Sequence, residues 1–156
     1  MYKSEEYIKA RTRAIKYIMY KFRTSQEVYN KLIELGFSEK EVVKVIDDLS
    51  KLEYINDEEY VKKFINSNKK TKKLSKTMVK IKLKNKGISD ELIEKYFCEL
   101  DVSDIDAIIK ILDKKKFLKT MDFDEKNKIK LYCARKGFSM SDINKAVKIY
   151  EKGEND

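Results

Sequence analysis

Nine lysines (69, 70, 72, 73, 76, 80, 82, 84 and 86) stand between Lys69 and Lys86 with no acidic residue among them. A run of this kind can meet phosphate oxygens or an acidic protein surface. Its charge equals the chain's net of +9, so the remainder sums to zero. Only Arg11, Arg13, Arg23 and Arg135 are arginine among the 36 basic residues. Bidentate reading of guanine favours arginine, so any nucleic-acid contact is expected on phosphates. On a helix Lys76, Lys80 and Lys84 form an i, i+4, i+8 stripe, with Val79 and Leu83 turned inward. A lysine stripe is usually a solvated face, but solvated faces mix charge signs and this one does not. Lys69, Lys70, Lys72, Lys73, Lys76, Lys80 and Lys84 are therefore the candidate contacts.

Other chemistry finds little to work with. Histidine is absent, which removes the commonest general base, and no glycine-rich loop ends in Lys-Ser/Thr to cradle a phosphate. Adjacent carboxylates such as Asp47 and Asp48 diverge on a helix, and no Cys or Asp/Glu spacing suggests a metal. No catalytic, metal or cofactor residue is assigned. Cys98 and Cys133 read as small apolar side chains rather than a disulfide framework or reactive thiols. No apolar run approaches a membrane span, and Met1 to Ala10 lacks a signal-peptide core. A cytoplasmic protein is expected, and nothing in the apolar pattern demands more than a monomer.

The elements that position the lysines follow from a repeated turn. Leu32-x-x-x-Gly36-Phe37-Ser38 recurs as Leu83-x-x-x-Gly87-Ile88-Ser89 and as Cys133-x-x-x-Gly137-Phe138-Ser139. The glycines lie about 50 residues apart. A glycine past an apolar-periodic segment closes one helix, and a serine two positions later can cap the next. The match extends along the flanking helices. Eight residues before each glycine stand Val28, Val79 and Ile129. After it come Val42, Ile93 and Ile143, then Val45, Tyr96 and Ala146, then Ile46, Phe97 and Val147, then Leu49, Leu100 and Tyr150. Spacings of 3, 4 and 7 put these on one helical face. Proline and tryptophan are absent and 40% of residues are charged. The expected fold is all-α: three tandem three-helix modules, about nine helices, in an elongated and curved helical repeat.

In chain order, the modules span 1–51, 52–101 and 102–152, with 153–156 a frayed tail. Ser4 to Lys21 forms the first helix; Thr24 to Glu27 is a capping box opening the second, and Ser38 to Glu41 another opening the third. Asn56 caps the fourth, where Asp57, Glu58 and Glu59 crowd the first turn as dipole-compensating acids and Tyr60, Val61, Phe64 and Ile65 face inward. A polar linker, Asn66 to Lys73, leads to Ser75, the cap of the fifth. The sixth runs from Ser89 to Leu100, and Asp101 to Ser103 is a hinge. Ile105 to Leu112 marks the seventh helix, Asp122 caps the eighth, and Ser139 or Ser141 opens the ninth.

These residues resemble the RecX family, bacterial regulators of the RecA recombinase. The resemblance rests on Thr24 to Leu32, the Gly36-Phe37 pair, the block Tyr54-Ile55-Asn56-Asp57-Glu58-Glu59-Tyr60, with Phe64 beyond it, and Lys86-Gly87-Ile88. It covers Arg11 to Tyr150. Ser75-Lys76 stands where the family often has Gly-Pro, and Lys82 where it often has glutamate.

Three classes of function compete. Catalysis fails for want of a base, a phosphate loop or a metal set. Helix, glycine turn and helix is also the outline of a groove-reading helix-turn-helix. The helices after the turns carry Glu39, Glu41, Asp47 and Asp48, then Asp90, Glu91 and Glu94, then Asp142, which would face phosphates unfavourably. Nonspecific nucleic-acid binding through Lys69 to Lys86 remains open. A stacked helical repeat suits a long or repeating protein partner. The RecX resemblance implies which: the RecA nucleoprotein filament on DNA. It further implies restraint of filament growth, ATP hydrolysis, strand exchange and coprotease activity, hence a role in recombinational repair and the SOS response.

Overall fold

A computed structural model describes residues 3–71, 73–99 and 104–154. Nine helices and no strand occur among them: α1 Glu5–Tyr20, α2 Ser25–Glu34, α3 Glu39–Lys51, α4 Asp57–Thr71, α5 Lys76–Asn85, α6 Asp90–Glu99, α7 Asp104–Lys114, α8 Phe123–Arg135 and α9 Met140–Glu154. The hinge expected at 101–103 lies outside the described residues, as do Lys72 and Leu100.

Each repeated turn closes its helix by the same pair of bonds. Phe37 N–H donates to the Leu32 carbonyl and Gly36 N–H to that of Ile33, at 3.2 and 2.9 Å. Ile88 and Gly87 do likewise with Leu83 and Lys84, and Phe138 and Gly137 with Cys133 and Ala134. The glycines take φ of +93°, +84° and +97°, so these are Schellman ends. Two further ends have this geometry without glycine. Glu53 (φ 63°) closes α3, with Tyr54 N–H on the Leu49 carbonyl, and Lys116 (φ 57°) closes α7, with Phe117 N–H on Leu112. Gly153 is not among the positive-φ residues, and α9 runs through it to Glu154 where a frayed tail was expected.

Capping follows the expected residues with one correction. Thr24 and Glu27 form a reciprocal box at 3.1 and 3.2 Å, and Ser4, Asn56, Ser75, Ser89, Asp122 and Ser139 accept from the third residue of their helices. Ser38 makes no side-chain cap. Its N–H instead donates to Glu6 of α1 at 2.7 Å, while Glu41 turns to Lys44, so the expected box is absent. The stretch Asn66 to Thr71 is helix rather than linker. Asn68, although polar, is buried because its amide bridges Leu74, donating to that carbonyl and accepting from that N–H at 3.0 Å each.

The described chain packs as two compact units, Met1–Lys63 with Leu83–Glu94, and Phe64–Lys82 with Lys95–Asp156. In the first, α1 packs on α2 and α3 around Tyr7, Ala10, Ala14, Val28, Leu32, Val42, Val45, Leu49 and Ile55. In the second, α7 packs on α9 and α8 around Ile108, Leu112, Phe117, Cys133, Phe138 and Ile143. The repeat slots at −4 and +6 from each glycine are buried in all three copies.

One joint is built twice. In the first unit the Ser25 N–H and hydroxyl, at the start of α2, donate to Asp57 of α4 at 2.8 and 2.6 Å, and Thr24 Oγ1 donates to the Lys86 carbonyl at 2.7 Å. Gly87 lies so close that a Cβ there would sit 2.2 Å from Gln26 Cβ. In the second unit the Lys76 N–H, at the start of α5, donates to Asp104 of α7 at 2.9 Å. A Cβ on Gly137 would sit 2.7 Å from Ser75 Oγ. The N-terminus of a module's second helix is thus clasped by the following module's first-helix aspartate and glycine turn. Gly36 belongs to the first module and has nothing within 4 Å of that position.

Candidate functional site

The lysine run is sorted by its surroundings rather than left as a uniform face. Lys69 and Lys70 occupy the last turn of α4, where the helix dipole favours cations. Both are exposed, as are Lys73 and Lys76. None of these four side chains has an ion pair among the described residues. Lys110 of α7 reaches the same place, its Nζ donating to the Lys70 carbonyl at 3.0 Å. Lys72 lies outside the described residues.

The expected stripe is broken. Val79 and Leu83 are buried as expected, but Lys80 Nζ sits 5.2 Å from the Phe97 ring centroid and Lys84 pairs with Asp90 at 3.0 Å. Lys86 pairs with Glu27 of α2 at 3.3 Å. The acids missing from the local sequence are supplied by packing and by the next turn. What remains of the run in the second unit, exposed and without an ion pair among the described residues, is Lys69, Lys70, Lys73, Lys76 and Lys82, with Lys110 beside Lys70.

Of the residues that follow the repeated glycines, Ile88 and Phe138 are buried and Phe37 is half-buried against the core of the first unit. Among the motif residues Tyr54, Ile55, Asp57, Glu58, Tyr60 and Phe64, only Tyr54 is exposed. Ile55 joins the core of the first unit, and Tyr60 stacks on Phe22 with ring centroids 5.7 Å apart. Burial, then the negative charge of Glu27, raises the Tyr60 phenol. Asp57 stands in the first turn of α4 as expected and, beyond that role, accepts from the Ser25 N–H and hydroxyl at the start of α2. Its counterpart Asp104 is raised by burial against the lowering effect of the Lys76 N–H. Sequence reading missed both clasps because their partners stand 32 and 28 residues away.

The cysteines separate. Burial pushes the Cys133 thiol up, in keeping with a packed side chain, whereas Cys98 is exposed on α6 and packs in no core. A groove of about 430 Å³ lies between α2 and α3, lined by Tyr29, Val43, Ile46, Asp47 and neighbours, with one carboxylate and no base. No three His, Cys, Asp or Glu side chains gather among the described residues as a metal would require. No helix of the described chain is long and apolar enough to cross a membrane.

A second acid-free segment was hidden by the charge sum. Tyr7 to Gln26 contains Lys9, Arg11, Arg13, Lys16, Lys21 and Arg23 and no carboxylate. The signal was present in the sequence but was cancelled by acids elsewhere.

Comparison with known proteins agrees with this three-part build. Residues 10–49 match the family model described as RecX, first three-helix domain; residues 56–96 match the second and 103–147 the third. "Regulatory protein RecX" of Clostridium tetani is 33% identical over 138 residues, covering 88% of this chain and 62% of that protein. The Bacillus licheniformis protein of the same name is 29% identical, with 86% and 52% covered. The chain thus spans about half to two thirds of the length of these curated relatives. The crystal structure of RecX from Lactobacillus salivarius superposes with a TM-score of 0.73 at 25% identity, covering 94% of this chain and 97% of that one. A second RecX crystal structure, 20% identical with a TM-score of 0.77, shares the fold over 92% of this chain and 74% of its own. With its three modules matched in order along most of its length, the chain belongs to the RecX family.

Proposed function

We propose that this chain is a non-catalytic, cytoplasmic regulator that binds the RecA nucleoprotein filament on DNA. In doing so it restrains filament growth, ATP hydrolysis, strand exchange and coprotease activity, and so tunes recombinational repair and the SOS response. The observation that carries this reading is the ordered match of all three modules to the RecX domains, with relatives named as regulatory proteins. The exposed lysines at 69, 70, 73 and 76 supply a surface for filament phosphates or an acidic face of RecA.

The test is ATP hydrolysis by the cognate RecA on single-stranded DNA, titrated with this protein at two salt concentrations. Inhibition well below the RecA concentration supports capping or disassembly; inhibition only near equimolar amounts supports coating of the groove. Replacing Lys69, Lys70, Lys73 and Lys76 with glutamate is expected to weaken inhibition and its salt dependence with helicity unchanged. A protein that leaves hydrolysis untouched yet binds DNA in a salt-sensitive way would favour the second reading, a nonspecific nucleic-acid binder acting through Lys69 to Lys86. The absence of ion pairs on those four side chains among the described residues is what keeps that reading in play.

A further inference from the structure

The outer face of α1 has no assigned task. Arg13, Lys16 and Tyr20 follow one another at spacings of three and four residues and are all exposed. Lys21 follows directly at the helix C-terminus. The acids of α1 are confined to its first turn, where Glu5 pairs with Lys9 and Glu6 accepts from Ser38 N–H. Arg13, Lys16 and Lys21 have no ion pair among the described residues.

The aromatic side chain separates this face from an ordinary solvated one. Tyr20 and Met19, 86% and 82% exposed, are the two most exposed large apolar side chains described. The neighbouring Tyr17 ring is covered by Arg23, 4.0 Å from its centroid, with Lys31 at 5.8 Å. The Tyr20 ring has no such cover. A polypeptide of carboxylates alone would satisfy the cations and leave the ring idle, and a duplex hides its base faces. An unpaired strand offers both phosphates and open bases, the combination that basic surfaces with free aromatics recognise.

We propose that this face of α1 binds single-stranded nucleic acid, with Arg13, Lys16 and Lys21 on phosphates and Tyr20 stacked on a base. The site lies on the first unit and uses none of the lysines of the 69–86 run, and its test uses naked DNA without a recombinase, so it stands or falls apart from the reading above. Binding is measured by anisotropy of a fluorescein-labelled oligo-dT of about 15 nucleotides. Tyr20→Ala is expected to weaken it about tenfold, with unchanged circular dichroism and no effect on a duplex of the same length. The double variant Arg13→Ala, Lys16→Ala is expected to reduce the slope of log K against log salt by about 1.4, from about 0.7 per lost phosphate contact. The chain has no tryptophan, so Tyr20→Trp places a single indole on the face, and its emission should be quenched by the oligonucleotide. Wild-type affinity in Tyr20→Ala, unquenched emission in Tyr20→Trp, or equal losses on single strand and duplex would each overturn the stacking site. Competition by poly-glutamate as effective as by oligo-dT would overturn it in favour of an acidic polypeptide.

Discussion

At the scale of single residues, backbone conformation and charge make separable predictions. Glu53 and Lys116 hold the left-handed conformation that glycine takes at the three repeated turns, at a cost of about 1–2 kcal/mol for a residue with a Cβ. Each replacement by glycine is expected to stabilise the fold by about 0.5–1 kcal/mol in urea titrations, the entropy of the unfolded glycine offsetting part of the relief. The reverse change ranks the turns. Gly36→Ala meets only the backbone penalty, whereas Gly87→Ala also drives a methyl into Gln26, so its urea midpoint should fall further. Asp48 sets an acid limb. Hydrogen bonds from Tyr7 and then Lys3 hold its carboxyl below the usual range. A lowered carboxylate contributes stability that is present above its unfolded value of 3.8 and lost as pH falls through the folded one. Stability should therefore fall on acidification below about pH 4, and less steeply in Asp48→Asn, as read from melting midpoints across that range.

At the scale of helices, the clasp at the start of α2 and α5 is the decisive element. An amide proton at the first position of a helix has no partner within it, and here a carboxylate from another helix supplies one. Hydrogen bonds to charged acceptors contribute about 1.5–3 kcal/mol each. Asp57→Ala is expected to cost an amount of that order and to raise hydrogen exchange at the Ser25 amide, with α8 and α9 unaffected. Asp104→Ala should do the same at the Lys76 amide. The two helix starts are partly exposed, so the lower end of the range is the better guide for Asp104, whose ionised form also bears a burial cost. Helix periodicity and capping were legible in the sequence because their partners lie within four residues. The clasps were not, since an aspartate at a helix start looks like a cap for its own helix whichever helix it serves.

For the molecule as a whole, net charge is the property that sequence supplies directly, and at +9 it works against compactness. Ion pairs with both partners exposed, such as Lys9 with Glu5, Lys51 with Asp47 and Lys84 with Asp90, are worth under about 1 kcal/mol. Screening the excess of like charge should outweigh the loss of these pairs. Melting midpoints are accordingly expected to rise between low and physiological ionic strength; a fall would mean that the ion pairs dominate.

The sequence by itself determined the all-α class, the three glycine turns, most of the caps and the buried slots, because each depends on residues a few positions apart along one helix. It also exposed the lysine run, but not which of its members are committed. Only tertiary packing decided that Lys86 meets Glu27, 59 residues away, that Asp57 serves α2, and that Tyr20 is bare while Tyr17 is covered. A side chain's surroundings depend on which helices are brought against it, and periodicity within one helix carries no record of that.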